Sequence, residues 1–261
     1  LHALHLPLDT PEIFWHMRLT YHEKCAVLTL LNQRIQQRMP TPYLTHEAWF
    51  AHLRFYVDQR VLIPRSPIAE LIEQQFIPWV EPGTVRRMLD LCTGSGCIAI
   101  ASALLALPYA EIDAVDVSHE ALAVAQQNIN SYGLEKRVYS VYSNLFSNLS
   151  GIHYDLIVCN PPYADAQELK TMPEEYHHEP LLGLRAGEDG LFFVRHILRE
   201  AVDYLNPQGV LIVEVGASQS FLEAAYPEVP FTWLEFERGG SGVFVLTRQQ
   251  LKAYEAVFRH S

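Results

Sequence analysis

The chain is short of positive charge. Nineteen Lys and Arg stand against thirty Asp and Glu, for a formal net charge of −11, and no basic run offsets the deficit. Such a chain repels the phosphate backbone, which argues against a nucleic-acid partner and for a basic protein one. Cysteine is scarce too. The four, Cys25, Cys92, Cys97 and Cys159, form no CxxC pair and have no partners at zinc-site spacing. A reducing, cytoplasmic setting is therefore expected. No apolar run reaches the roughly 18–20 residues that span a bilayer, and no signal peptide is visible. The chain starts at Leu1 rather than Met, from which a trimmed start is expected.

What is present is apolar residue, 49% of 261, enough for one full α/β domain and a smaller module. Residues 11–38 carry apolar side chains at helical spacing. Ile13, Phe14, Met17 and Tyr21 share one face, and Val27, Leu28, Leu31 and Ile35 another, before Pro40 and Pro42 end the pattern. One or two packed helices are expected there. A β-rich stretch follows, with Phe50, Leu53, Phe55 and Val57 ahead of Val61-Leu62-Ile63, and reads as a hairpin turning near Asp58. Ile68, Leu71, Ile72 and Phe76 share a face of a short helix over 66–76.

From about Pro82 strands and helices alternate. Strands are predicted over 88–92, 112–117, 138–142, 156–159 and 210–215, and helices over 97–105, 120–132, 191–205 and 220–226. The alternation predicts a parallel, doubly wound sheet. The last two strands, 231–236 and 242–246, are joined too tightly for a parallel crossover, so one of them is antiparallel.

Asp90-Leu91-Cys92-Thr93-Gly94-Ser95-Gly96 ends the first sheet strand and opens a helix. Its glycines permit a tight turn and close approach of backbone to a ligand. Asp116 ends the second strand, about 20 residues beyond Gly96, where an acid accepts ribose hydroxyls. Together they describe a nucleoside-containing cofactor. Gly94-x-Gly96-x-x-Ala99 comes close to the dinucleotide pattern, so NAD competes with S-adenosylmethionine. Asp90 favours the latter, because its charge suits a cationic donor and opposes a pyrophosphate.

Asn160-Pro161-Pro162-Tyr163 follows the fourth strand, Leu156-Ile157-Val158-Cys159. In a doubly wound sheet that strand end lies beside the glycine loop, at the crevice where ligands bind. The residue types suit methylation of a planar nitrogen. An amide nitrogen is a poor nucleophile, because its lone pair is delocalised. It needs orientation and charge stabilisation more than a strong base. The Asn160 side-chain oxygen and the Pro161 carbonyl are placed to accept its two N–H hydrogens. Proline brings a carbonyl with no competing N–H, and two in series fix an extended backbone. The Tyr163 ring covers the flat group.

These residues, with Ser143-Asn144-Leu145-Phe146, resemble the HemK-type protein-glutamine methyltransferases. The resemblance runs over essentially the whole chain. It implies a seven-stranded Rossmann-like class I methyltransferase sheet, its last strand antiparallel, with a small N-terminal helical substrate-recognition domain (1–45), a hairpin and linker (46–78) and a catalytic domain (79–261). It also implies that Cys92, Thr93, Gly94, Ser95 and Gly96 line S-adenosylmethionine, Asp116 holds its ribose, Asn144 and Leu145 flank its adenine, and Asn160, Pro161, Pro162 and Tyr163 hold a glutamine; S-adenosylhomocysteine is the product. Pro64-Arg65-Ser66-Pro67-Ile68 is similar to the branch that acts on large-subunit ribosomal protein three; the release-factor branch has a different linker. Two positions depart from the family: Cys92 stands where glycine is common, and Asn144 where Asp is usual.

His177-His178-Glu179 is better read as a loop beside the substrate than as a metal site. Asp165, Glu168, Glu174, Glu175 and Glu179 would suit a basic ribosomal protein. Arg65 either contacts substrate or bridges the domains, and Glu214 reads as a structural acid near the pocket. Release-factor methylation, amino-group methylation of nucleic acid and a non-catalytic assembly role remain the alternatives.

Overall fold

The computed structural model describes residues 2–6 and 10–260, so Leu1, on which the expected trimmed start rests, lies outside it. The N-terminal pattern resolves into a 3-10 turn, Glu12–Phe14, and one helix, α1 (Tyr21–Gln36). Thr20 starts that helix with a capping box. Its side chain accepts the Glu23 N–H, and the Glu23 carboxylate takes the Thr20 N–H at 2.6 Å. The cap is why the helix begins at Tyr21 and not near Pro11, so Ile13, Phe14 and Met17 do not share a helix face with Tyr21. The expected packing also fails, since no residue of α1 is fully buried. A short helix, α2 (Thr41–Thr45), leads to the hairpin strands β1 (Ala48–Phe50) and β2 (Leu53–Phe55).

That hairpin turns at Ala51 and His52, both with positive φ, and not near Asp58. The physical reason lies far along the chain. The Tyr56 N–H donates to Asn128 Oδ1 at 2.8 Å, and the Tyr56 carbonyl accepts from Asn128 Nδ2 at 3.0 Å. With both its backbone groups taken, Tyr56 offers nothing to a strand formed by Val61-Leu62-Ile63. Asp58 instead closes a local turn on the Arg60 and Val61 amides.

Next come α3 (Ile68–Glu73), β3 (Arg87–Leu91) and α4 (Cys97–Ala101), which passes into a π turn over Ser102–Ala106. They are followed by β4 (Glu111–Asp116), α5 (His119–Ser131), β5 (Val138–Tyr142), β6 (Tyr154–Cys159), α6 (Ala166–Thr171), α7 (Phe192–Tyr204), β7 (Leu205–Glu214) and α8 (Gln219–Ala225). Strands β8 (Thr232–Trp233) and β9 (Val243–Thr247) complete the sheet. The chain does not stop there, because α9 (Arg248–Ala253) and α10 (Glu255–His260) follow. Thr247 and Gln250 form the capping box that starts α9.

Among the described residues seven strands form one mixed sheet in the order β5-β4-β3-β6-β7-β9-β8. The five strands from β5 to β7 are mutually parallel, and β9 runs antiparallel between β7 and β8. This is the expected class I methyltransferase sheet. Strand alternation divides the core. Met88, Ile112, Leu156, Val158 and Ile212 pack on one face with Ile72 and Ile100. Leu89, Leu91, Ile157, Leu211 and Phe244 pack on the other with Ile197 and Leu251. Continuous apolar strands buried on both faces are what a parallel sheet requires. No helix of the described residues is long and apolar enough to cross a membrane.

Candidate active site

Parallel pairing of β3 with β6 sets Leu91 opposite Cys159. The loop that follows Leu91 and the motif that follows Cys159 therefore leave the sheet side by side. A cavity of about 290 Å³ lies there, lined by Cys92, Gly94, Asp116, Asn144, Leu145 and Asn160 among others. Five of the predicted cofactor residues and the predicted catalytic asparagine thus share one wall. Asp90, Thr93, Ser95 and Gly96 do not line it.

Those four shape the loop. Asp90 is fully buried. One of its oxygens accepts from the Thr93 hydroxyl at 2.5 Å and from the Ala99 N–H at 3.1 Å. Its other oxygen has no hydrogen-bond partner among the described residues, and burial pushes its carboxyl up to about 7. Ser95 offers its carbonyl to Asn128 at 2.9 Å. Gly96 has φ +81°, and a Cβ there would press on Ala125 of α5 at 3.3 Å. Gly94, at φ +55°, would point a Cβ into open space, and its N–H donates to Asp116 at 3.0 Å. The second Asp116 oxygen takes the Ser118 N–H at 2.9 Å, and burial raises this carboxyl above its ordinary range. Cys92 adopts φ +60°, a backbone that favours glycine.

A second cavity, about 430 Å³, is lined by Arg65, Asn160, Pro161, Tyr163, Glu168 and Tyr176 among others. The two linings have only Leu62, Asn160 and Gly183 in common. Asn160 is half-buried, and neither its carboxamide nor the Pro161 carbonyl makes a hydrogen bond among the described residues. Pro162 is buried and lines the first cavity, whereas Tyr163 lines the second.

Tyr163 is held from several sides. Its hydroxyl donates to Glu214 at 3.1 Å, and its carbonyl accepts from Ser218 Oγ at 2.9 Å. Its ring lies so close to Gly216 that a Cβ there would come within 2.5 Å of it. Burial, and then the Glu214 charge, pushes its phenol well up. Glu214 also accepts from Ser66 at 2.5 Å, and burial raises its carboxyl to about 7.

Most of the acids expected to suit a basic substrate are paired within the protein. Arg34 of α1 and Arg38 just beyond its end both pair with Glu175, each at 2.9 Å, and Arg38 reaches Glu174 at 3.7 Å. Glu179 is buried; it accepts from Arg65 at 2.6 Å and from the Ile63 N–H at 3.0 Å. Arg65 also stacks on the Tyr176 ring at 4.6 Å. The ring nitrogen Nε2 of His178 lies 2.7 Å from the Gln37 carbonyl. Asp165 caps α6 through the Gln167 and Glu168 amides. Glu168 alone faces the second cavity with no basic partner among the described residues; burial, then Asp165, raises its carboxyl. The sequence reading missed Asn128 and the Ser66–Glu214 contact, and no local pattern marks either.

The profile of the methyltransferase small domain family matches residues 73–175. The ribosomal protein uL3 glutamine methyltransferase of Neisseria meningitidis serogroup A is 52% identical over 98% of this chain and 84% of its own length. The serogroup B protein of that name is 51% identical over the same shares. The fold is that of a methyltransferase from Pyrococcus furiosus (TM-score 0.55, 18% identity, 86% of this chain and 98% of that one). It is also that of the hMettl16 catalytic domain, solved with a MAT2A 3'UTR hairpin (TM-score 0.56, 19% identity, 95% and 90%).

Proposed function

The chain belongs to the family of ribosomal protein uL3 glutamine methyltransferases, and from that premise we propose that its first cavity takes S-adenosylmethionine and its second the target glutamine. The reaction is methyl transfer to the side-chain amide nitrogen of a glutamine in uL3. The observation that carries the site assignment is Asn160: it lines both cavities, and its carboxamide makes no hydrogen bond among the described residues.

The donor cavity fits the cofactor. Gly94 leaves open space where any side chain would intrude. Asp116, with backbone donors on both oxygens, is a fixed acceptor for ribose hydroxyls. Asp90 keeps one buried oxygen that no group among the described residues uses, beside a loop that would meet a cationic ligand. When bound, S-adenosylmethionine supplies an electrophilic sulfonium methyl and leaves as S-adenosylhomocysteine.

The protein's own part is orientation. The Asn160 oxygen and the Pro161 carbonyl would accept the two N–H hydrogens of the glutamine amide, aim its nitrogen at the donor and stabilise charge as it builds. The Tyr163 ring, pinned against Gly216, would form one wall for the planar group. Residues 1–45 and the linker 46–78 would receive the protein substrate, with 79–261 carrying the chemistry; Arg34 and Arg38 already reach the loop beside the second cavity. A ribosomal protein substrate would put the reaction in the cytoplasm.

The test is transfer of labelled methyl from S-adenosylmethionine to purified uL3, to release factor and to RNA, with mass-spectrometric mapping. Label on a uL3 glutamine is the expected result. Label on the release factor alone would move the substrate, and label on RNA alone would overturn the acceptor class.

A further inference from the structure

Strand β7 lies beside β6, with Val213 paired to Cys159, so Glu214 stands one strand away from Asn160 at the same end of the sheet. It is 3% exposed, and its two oxygens accept from hydroxyls of two separate segments, Tyr163, which lines the acceptor cavity, and Ser66, whose neighbour Arg65 lines it. Oε1 takes Tyr163, which belongs to the Asn160-Pro161-Pro162-Tyr163 turn. Oε2 takes Ser66, the neighbour of Arg65, and Arg65 in turn pairs with Glu179 and stacks on Tyr176, which lines the same cavity. A buried acid is costly to keep unless its partners justify it. Here the partners are the two segments that must stay in register around the reacting nitrogen. Glu214 itself lines neither cavity, so it does not touch substrate.

We propose that Glu214 is a positioning residue for methyl transfer: by accepting from Ser66 and Tyr163 together, it ties the Arg65 linker to the turn that carries Asn160 and sets the acceptor cavity's width. This rests on the reading of Asn160 and Pro161 as the acceptor site. The Glu214–Ser218 segment supports it. Gly216 is shaped to the Tyr163 ring, and Ser218 holds the Tyr163 carbonyl, so the whole strand end is built around that one residue. Losing the carboxylate would free the Tyr163 hydroxyl and the linker at once. A misplacement on the order of 1 Å is enough to cost about a hundredfold in rate.

The experiment compares wild type with Glu214→Ala, Ser66→Ala, Tyr163→Phe and the Ser66→Ala/Tyr163→Phe double variant, using labelled transfer to uL3 and calorimetric titration of S-adenosylhomocysteine. Glu214→Ala is expected to lower kcat by about 30- to 100-fold, with the donor analogue's Kd within about twofold. If it fails to fold, the double variant carries the test, because it removes both hydroxyl donors and leaves the acid. The double variant is expected to lose at least about 30-fold in kcat, more than the product of its two singles, as groups sharing one partner couple. Donor binding kept with kcat lost is an outcome a general loss of structure would not give. A kcat within about threefold of wild type in either Glu214→Ala or the double variant overturns the proposal, while wild-type labelling of the glutamine leaves the function standing. Wild-type failure to label any glutamine removes the function itself.

Discussion

Asn128 and Ser95 join helix α5 to the glycine loop through one buried hydrogen bond of 2.9 Å, and the same carboxamide closes on both backbone groups of Tyr56. One side chain thus fixes the cofactor loop and the hairpin segment together. Asn128→Ala would leave three backbone groups, one buried and two part-buried, without this partner and is expected to cost roughly 2–4 kcal/mol. Urea unfolding measures this. Donor affinity should fall as well, since the Ser95 carbonyl is released; an unchanged unfolding midpoint would sink the account.

Asn160→Ala removes one acceptor for the amide hydrogens. Loss of one pre-placed polar group at a developing charge is expected to lower kcat by about a hundred- to a thousandfold. The Kd for S-adenosylhomocysteine should stay within about threefold, because the rest of the donor wall is intact. Methyl transfer that survives undiminished would mean the nitrogen is oriented elsewhere.

Of the acidic loop, Glu168 alone faces the acceptor cavity unpaired among the described residues, so charge complementarity toward a basic substrate rests on it. Glu168→Lys is expected to raise KM for uL3 on the order of fivefold or more, with kcat little changed. A kcat loss at constant KM would put Glu168 in the chemistry instead.

Asp90 makes stability depend on pH in a stated direction. Its folded carboxyl titrates at about 7, above its ordinary 3.8, so the folded protein holds that proton more tightly than the unfolded chain does. The resulting stabilisation is complete below 3.8 and is lost as pH rises through about 7. Asp90→Asn cannot titrate, so the stability of this variant relative to wild type should improve steadily from pH 4 to pH 8 in denaturant melts. Glu214 is common to both and cancels. A difference that stays flat with pH would show that Asp90 is not raised.

The sheet was legible because its strands are short apolar runs after turn signals, and Asp116 and Asn160 were legible because they end such runs. What escaped were contacts closed across long stretches of chain. The hairpin turn went to Ala51 and His52 because Asn128, 72 residues away, occupies Tyr56. The pairing of the loop acids was not legible because Arg34 lies 141 residues from Glu175, and Arg65 lies 114 from Glu179. Helix α9 did carry a local sign, the Thr247–Gln250 capping box, which the reading ended short of.

Helix α1 buries none of its residues completely, and the ties that it and the two residues after it make to the acceptor loop are polar: Arg34 and Arg38 on Glu175, Arg38 on Glu174, and His178 on the Gln37 carbonyl. Partly exposed ion pairs of this kind are each worth about 1 kcal/mol or less and weaken as ions screen them. The sheet, held by buried apolar contact, has no such sensitivity. Ionic strength therefore acts on this enzyme twice, once on its attraction for a basic substrate and once on the grip that keeps its first helix beside the place where that substrate would sit.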